Sequence, residues 1–121
     1  MAAWREVPKT EWRHFFDQMS KLQLPGKWAE IEVAAPEVGD QIVAEKLPVI
    51  GITYDSKDDL LDVALDRGNH LIRHPREIVV EQGPTGVSGV AVVDADGARQ
   101  VVRLREPLAI PAASQPDARP A

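Results

Sequence analysis

The stretch Gly51-Ile-Thr-Tyr-Asp-Ser-Lys-Asp-Asp-Leu-Leu-Asp-Val-Ala-Leu65 decides how the chain reads. Ile50, Ile52 and Tyr54 alternate with Gly51 and Thr53 before an acidic turn. Leu61, Val63 and Leu65 alternate with Leu60, Asp62 and Ala64 after it. Alternation at a period of two marks strands with one buried face, so the stretch predicts an antiparallel hairpin. Gly51, in mid-strand, is expected where a strongly curved sheet leaves no room for a side chain on its concave side.

The segments around this hairpin carry the same signature. Upstream, Lys27 to Val33 alternates, with Ala29, Ile31 and Val33 on one side and Trp28, Glu30 and Glu32 on the other. Trp28, on the polar side, is the candidate interface residue, since tryptophan is favoured as an anchor. The cluster Ala35 to Asp40 reads as a turn, and Gln41 to Lys46 as a further strand. Pro48 has no N–H for a ladder and belongs where the chain bends or a pairing ends. Downstream, Asp66-Arg67-Gly68-Asn69 is a tight turn in which Gly68 or Asn69 suits a positive φ. His70 to His74 and Glu77 to Gln82 are strands divided by Pro75. Val87 to Val93 and Gln100 to Leu104 flank Asp94-Ala95-Asp96-Gly97, a hairpin signal.

Before the strands, Trp12, Phe15, Phe16, Met19 and Leu22 fall on one face of a helix of about three turns. Thr10 is its expected N-cap and Pro25-Gly26 its stop, which places the helix over residues 10–23. So short a helix is marginal alone, and its aromatic face must pack on the sheet. From Pro107 onward, prolines stand among alanines without a period, which predicts a disordered tail over residues 107–121. Residues 1–106 then form a single domain, and 121 residues suffice for one core.

Lys and Arg total 14 against 19 Asp and Glu, a formal charge of -5 that disfavours a polyanion spread over the whole surface. The absence of cysteine excludes a disulfide framework, thiolate zinc sites and a thiol nucleophile. No stretch approaches the ~20 apolar residues of a membrane span, and the first residues lack a basic head followed by an apolar run. The expectation is a cytoplasmic protein with no membrane partner.

A helix followed by short, bent antiparallel strands suggests a partly open small barrel, mainly β within the α+β class. At this point the hairpin resembles the Sm-like family of small barrels, whose outline SH3-like barrels share. In the first Sm motif a glycine precedes an aromatic-Asp pair, an acceptor and an apolar strand; Gly51, Tyr54-Asp55, Asp59 and Leu60 to Leu65 stand in those places. The second motif is Ile-Arg-Gly before an apolar strand. Ile72-Arg73 is present, His74 replaces the glycine, and Ile78-Val79-Val80 follows. The resemblance implies RNA as a partner, with Asp55, Asp59 and Arg73 as nucleic-acid-binding residues. It also leaves Val87 to Leu104 as an extra C-terminal hairpin beyond the family's five strands. Separately, the Trp12-x-x-Phe15-Phe16-Asp17 helix resembles that of a group of short acidic bacterial proteins of unknown function, which implies no activity.

The remaining chemistry is sparse. Asp55, Asp58, Asp59, Asp62 and Asp66 do not follow the ligand order of a calcium loop and read as a solvated turn. His70 and His74 would stand about 13 Å apart on a strand, too far for a shared metal. Arg67, His70, His74 and Arg76 form the most basic part of the chain. No nucleophile with a base and an orienting group is visible, nor a phosphate-cradling glycine loop. The reading is a non-catalytic interaction or assembly module, without metal or cofactor, whose partner is a protein or a second copy in a homo-oligomer. An Sm-like RNA-binding protein is the alternative, and an enzyme with a site hidden from sequence the third.

Overall fold

The structure, a computed structural model, describes residues 3–35, 39–83 and 86–105. It is mainly β with one helix: β1 Ala3–Glu6, a single 3-10 turn Lys9–Glu11, α1 Trp12–Leu22, β2 Trp28–Ala35, β3 Gly39–Asp55, β4 Leu60–Leu65, β5 Gly68–Arg73, β6 Pro75–Gly83, β7 Gly86–Asp94 and β8 Arg99–Arg105. All the strands belong to one antiparallel sheet in the order β1-β6-β7-β8-β2-β3-β4-β5. The expected tail lies outside the described residues, as does the middle of the expected turn at Ala35 to Asp40.

The hairpin of β3 and β4 forms as the alternation predicts, with Ile52, Tyr54, Leu61, Val63 and Leu65 buried. Instead of two strands before the acidic turn there is one, β3, which runs through Pro48. The proline sits where β3 changes partners: Trp28 of β2 pairs with Pro48, and Leu65 of β4 pairs with Val49. Its carbonyl still accepts from the Asp66 N–H at 3.0 Å. A bulge between Val49 and Gly51 then shifts the phase by one residue. Val49 therefore faces the core while Ile50, expected inside, is 67% exposed. Crowding does not explain Gly51: a Cβ there would lie 3.6 Å from Ser20 Oγ, an ordinary contact.

The helix packs across β3, burying Trp12, Phe16 and Met19. Leu22 falls at the margin of that stripe and is 74% exposed, and the fully buried Leu24 follows the helix instead. Thr10 is not the N-cap. It lies within the 3-10 turn, Glu11 stands at the cap position, and neither makes a side-chain cap bond. The Trp12 ring is fixed by its Nε1–H donating to the Val7 carbonyl at 2.7 Å and by an edge-on contact with Tyr54 at 5.1 Å.

Ser20 has a structural task that the sequence does not announce. Once β2 has parted from β3, the second half of β3 keeps β4 on one side only. On the other side Ser20 Oγ donates to the Ile52 carbonyl at 2.8 Å and accepts from the Ile52 N–H at 2.9 Å. One side chain thus satisfies both backbone groups of a strand residue that has no neighbouring strand there.

The Asp94 hairpin forms as expected, with Gly97 at φ 84. Its strands are not an addition at the rim, however. β8 lies inside the sheet, pairing with β7 and with β2, whereas Val79 and Val80 of β6 pair with β7 and β1. β1, whose residues carry no strand pattern, is an edge strand with four exposed residues. Both β4 and β8 place apolar residues in a single core, and a polar chain spans from β5 to β8. His70 Nε2 lies 2.6 Å from Gln100 Oε1, and Gln100 Nε2 donates to Asp94 Oδ2 at 3.1 Å. Because that carboxylate only accepts, the Gln100 carbonyl faces His70, which must donate from Nε2. Asp94 Oδ1 accepts from the N–H groups of Asp96 and Ala98, so the buried carboxylate is fully engaged.

Candidate functional site

One end of the sheet gathers the turns that carry most of the chemistry. The β3–β4 turn begins with Asp55, whose Oδ1 accepts from the Lys57 N–H at 2.9 Å and the Asp58 N–H at 3.3 Å. An aspartate side chain that binds its own backbone in this way holds a turn closed. The turn ends at Asp59 with φ 51, a left-handed conformation that Asp tolerates better than most residues. At the β5–β6 junction His74 also takes a left-handed φ, of 54, directly before Pro75. A residue before proline is ordinarily driven to extended backbone, so the His74 conformation is held by its surroundings. The His74 N–H donates to the Asp59 carbonyl at 2.8 Å, and its own carbonyl accepts from Ala95 in the β7–β8 turn at 2.9 Å.

The side chains repeat this connection. Tyr54, 5% exposed, donates its hydroxyl to Asp59 Oδ1 at 2.7 Å, while His74 Nδ1 faces Asp59 Oδ2 at 3.4 Å. Burial, followed by the hydrogen bond and negative charge of Asp59, pushes the Tyr54 hydroxyl up to about 12. The Tyr54 hydrogen bond holds the Asp59 carboxyl below its usual value, against a smaller opposing effect of burial and with help from His74 and Lys9.

Beside Tyr54 lies a surface cleft of about 500 Å³ lined by Lys9, Thr10, Arg13, Ser56 and Asp59. A second, of about 410 Å³, shares Arg13, Tyr54 and Ser56 and adds Thr53, Asp55 and Lys57. Lys9 lies over the Trp12 ring, 5.6 Å from its centroid. Lys9, Thr10 and Arg13 reach the clefts from the 3-10 turn and the first turn of α1; the other lining residues come from the end of β3 and the turn after it.

The residues singled out from sequence are only partly gathered. Asp55 and Arg73 both pair with Leu60 and so share the outer face of the sheet, two strand spacings or roughly 10 Å apart. Asp59 is near them but is engaged by Tyr54 and His74. Of the four basic residues, Arg67 occupies the β4–β5 turn at the opposite end of β5 from His74, about 20 Å along the strand. His70 is half-buried against Gln100, and Arg76 is exposed at a bulge of β6. They do not form one patch. Trp28 is 39% exposed on the outer face, beside Pro48 and Arg105. No sequence pattern brings Lys9, Thr10, Arg13 and Ser56 together as a site, because their juxtaposition depends on where α1 lies against β3. The buried Tyr54 was legible only as part of an aromatic-Asp pair. Among the described residues, no three His, Cys, Asp or Glu side chains group so as to hold a metal ion, and no helix is long and apolar enough to cross a membrane.

Comparison with known proteins matches residues 3–113 to a family of unknown function, DUF5335. A protein of Aquifex aeolicus (strain VF5), named only as an uncharacterized protein, is 36% identical over 110 residues, which span 90% of this chain and 98% of the relative. No solved structure matches.

Proposed function

The chain belongs to DUF5335, a family of unknown function, and we propose that it is a non-catalytic interaction module that assembles with further copies of itself through the edges of its sheet. The observation that carries this reading is the linear strand order, which ends in β1 and β5. Among the described residues no strand covers the outer edge of either, and each displays a large apolar side chain, Trp4 at 45% and Leu71 at 39% exposure. An uncovered strand edge is a template for another strand, and exposed apolar groups beside it favour association. Trp28 on the outer face extends the apolar surface available to a partner. The cytoplasm is the setting in which this assembly is placed.

We read the finer architecture as a partly open small barrel of the Sm-like or SH3-like kind. The order β8-β2-β3-β4-β5 behind a helix and the change of partners of β3 at Pro48 support it, as does the His70–Gln100 bond between β5 and β8. His74, standing where the Sm motif has glycine, adopts the left-handed backbone that glycine takes freely. RNA binding on the outer face near Asp55 and Arg73 is the second reading.

Light scattering after size exclusion tests the assembly. The expected result is a mass above that of one chain, returned to one chain by Leu71→Lys, which places a charge beside the edge of β5. A single-chain mass at every concentration would overturn it. A salt-dependent shift of uridine-rich RNA, weakened by Arg73→Ala, would instead favour the RNA reading.

A further inference from the structure

The two clefts beside Tyr54 form one groove, since Arg13, Tyr54 and Ser56 line both. Its hydrogen-bonding groups divide unequally between those in use and those available. The carboxylates are partly engaged: Asp59 receives Tyr54 on one oxygen and faces His74 with the other, and Asp55 receives two backbone N–H groups of its own turn on Oδ1. The donors are open. Among the described residues, Arg13 has neither an ion pair nor a hydrogen bond, and the hydroxyls of Thr10, Thr53 and Ser56 bond to no other residue. Lys9 meets only the face of Trp12 and the field of Asp59.

The cations of the groove, Lys9, Arg13 and Lys57, also outnumber its carboxylates, in a chain whose formal charge is -5. A groove of this kind presents hydrogen-bond donors and an excess of positive charge to a ligand. The groups come from two elements that meet across the groove. Lys9, Thr10 and Arg13 belong to the 3-10 turn and α1, and Ser56 to the turn that Asp55 holds closed. The wall formed by Tyr54 is fixed by its bond to Asp59 and its contact with Trp12.

We propose that this groove binds the oxyanion end, phosphate or carboxylate, of a small molecule, with Arg13 as the anchoring residue and Lys9, Thr10 and Ser56 completing its shell. A guanidinium offers five donors in a planar fork matched to such oxygens, and charge-assisted bonds of this kind are the strong ones. The groove is distinct from the sheet edges through which copies are proposed to assemble, so either reading can fail without the other.

The test is titration of the 15N-labelled full chain with inorganic phosphate and, separately, with sodium acetate, at constant ionic strength held with sodium chloride. Saturable amide shifts confined to residues 9–13 and 53–59 are expected with at least one of the two probes. A response to phosphate alone assigns a phosphoryl ligand, and one to acetate alone a carboxylate. Arg13→Ala should weaken the binding by about tenfold or more, and Arg13→Lys by less, since it keeps the charge but loses the fork. Arg76→Ala, outside the groove, should leave it unchanged. Because Arg13 is exposed, its removal leaves the core intact, and the unperturbed amide pattern of the variant checks this. Shifts that do not saturate with either probe, or that persist unchanged in Arg13→Ala, would overturn the proposal.

Discussion

Replacing Ser20 by alanine tests the junction between helix and sheet. The substitution removes two hydrogen bonds, of 2.8 and 2.9 Å, and strands the N–H and C=O of Ile52 on the side of β3 that β2 has left. Each such bond contributes about 1 kcal/mol net, and an unsatisfied backbone group costs about 1–3 kcal/mol when fully buried. Ser20 is only half-buried, so water can reach part of the site and the lower end applies, a loss of about 2 kcal/mol. Alanine is the better helix former and returns about 0.5 kcal/mol. The net expectation is about 1.5 kcal/mol, or roughly 5 °C in melting temperature for a chain of this length. Urea unfolding should show a lower midpoint with an unchanged slope, since little surface is altered. Hydrogen exchange should accelerate at the Ile52 amide more than at Val63, its partner in β4. Gly51→Ala is the matching control, because the new methyl meets Ser20 at an ordinary distance, and stability should hold or rise slightly. A Ser20→Ala protein as stable as the parent, with Ile52 exchange unaltered, would refute the account of the helix as the missing strand neighbour.

Tyr54 is the single tyrosine of the chain, so the ultraviolet ionisation of phenol reports on it alone. The midpoint in the folded protein is expected near 12 against an ordinary 10, and Tyr54 should stabilise the fold fully below pH 10 and lose that contribution between 10 and 12. A midpoint at 10 in a still-folded chain would contradict the buried bond to Asp59. Asp59 has the opposite sign: its contribution is present above about pH 4 and is lost as pH falls toward its lowered folded value, so Asp59→Asn should flatten the acid arm of a stability–pH curve. Gly86→Ala should cost about 2 kcal/mol or more by chemical denaturation. Its φ is 110, and a Cβ would come within 2.6 Å of Gln23 Oε1, the acceptor of the Val87 N–H.

Legibility followed the distance over which each feature is determined. Strand alternation is local, so period alone puts Ala29, Ile31, Ile52, Leu61 and Val63 inside, and Asp-Gly and Gly-Asn chemistry locates the turns. Ile50 went astray because a bulge inserts one residue and inverts the phase, and period counting has no view of an insertion until the partner strand is known. β1 was missed because four exposed residues with little apolar pattern become a strand only through β6. Strand order was also beyond reach: nothing in Arg99 to Arg105 states that it will lie beside Trp28 rather than at the rim. The candidate site followed the same rule. Asp55 and Arg73 were brought to one face by pairings that the hairpin pattern implied, whereas Arg13 and Ser56 meet only because α1 lies across β3.

The position of β8 between β7 and β2 also governs the order in which this protein can become itself on the ribosome. β3, β4 and β5 pair with neighbours already synthesised, so that half of the sheet can form early. β2 must wait, with one edge bare, until residues from the far end of the chain emerge to pair with it. Pairing of such remote segments is slow, and an unpaired edge held open meanwhile is what aggregation and chaperones act on. Nascent chains stalled before Arg99 should therefore be the species most prone to associate wrongly, and release of β8 is the event that ends their exposure.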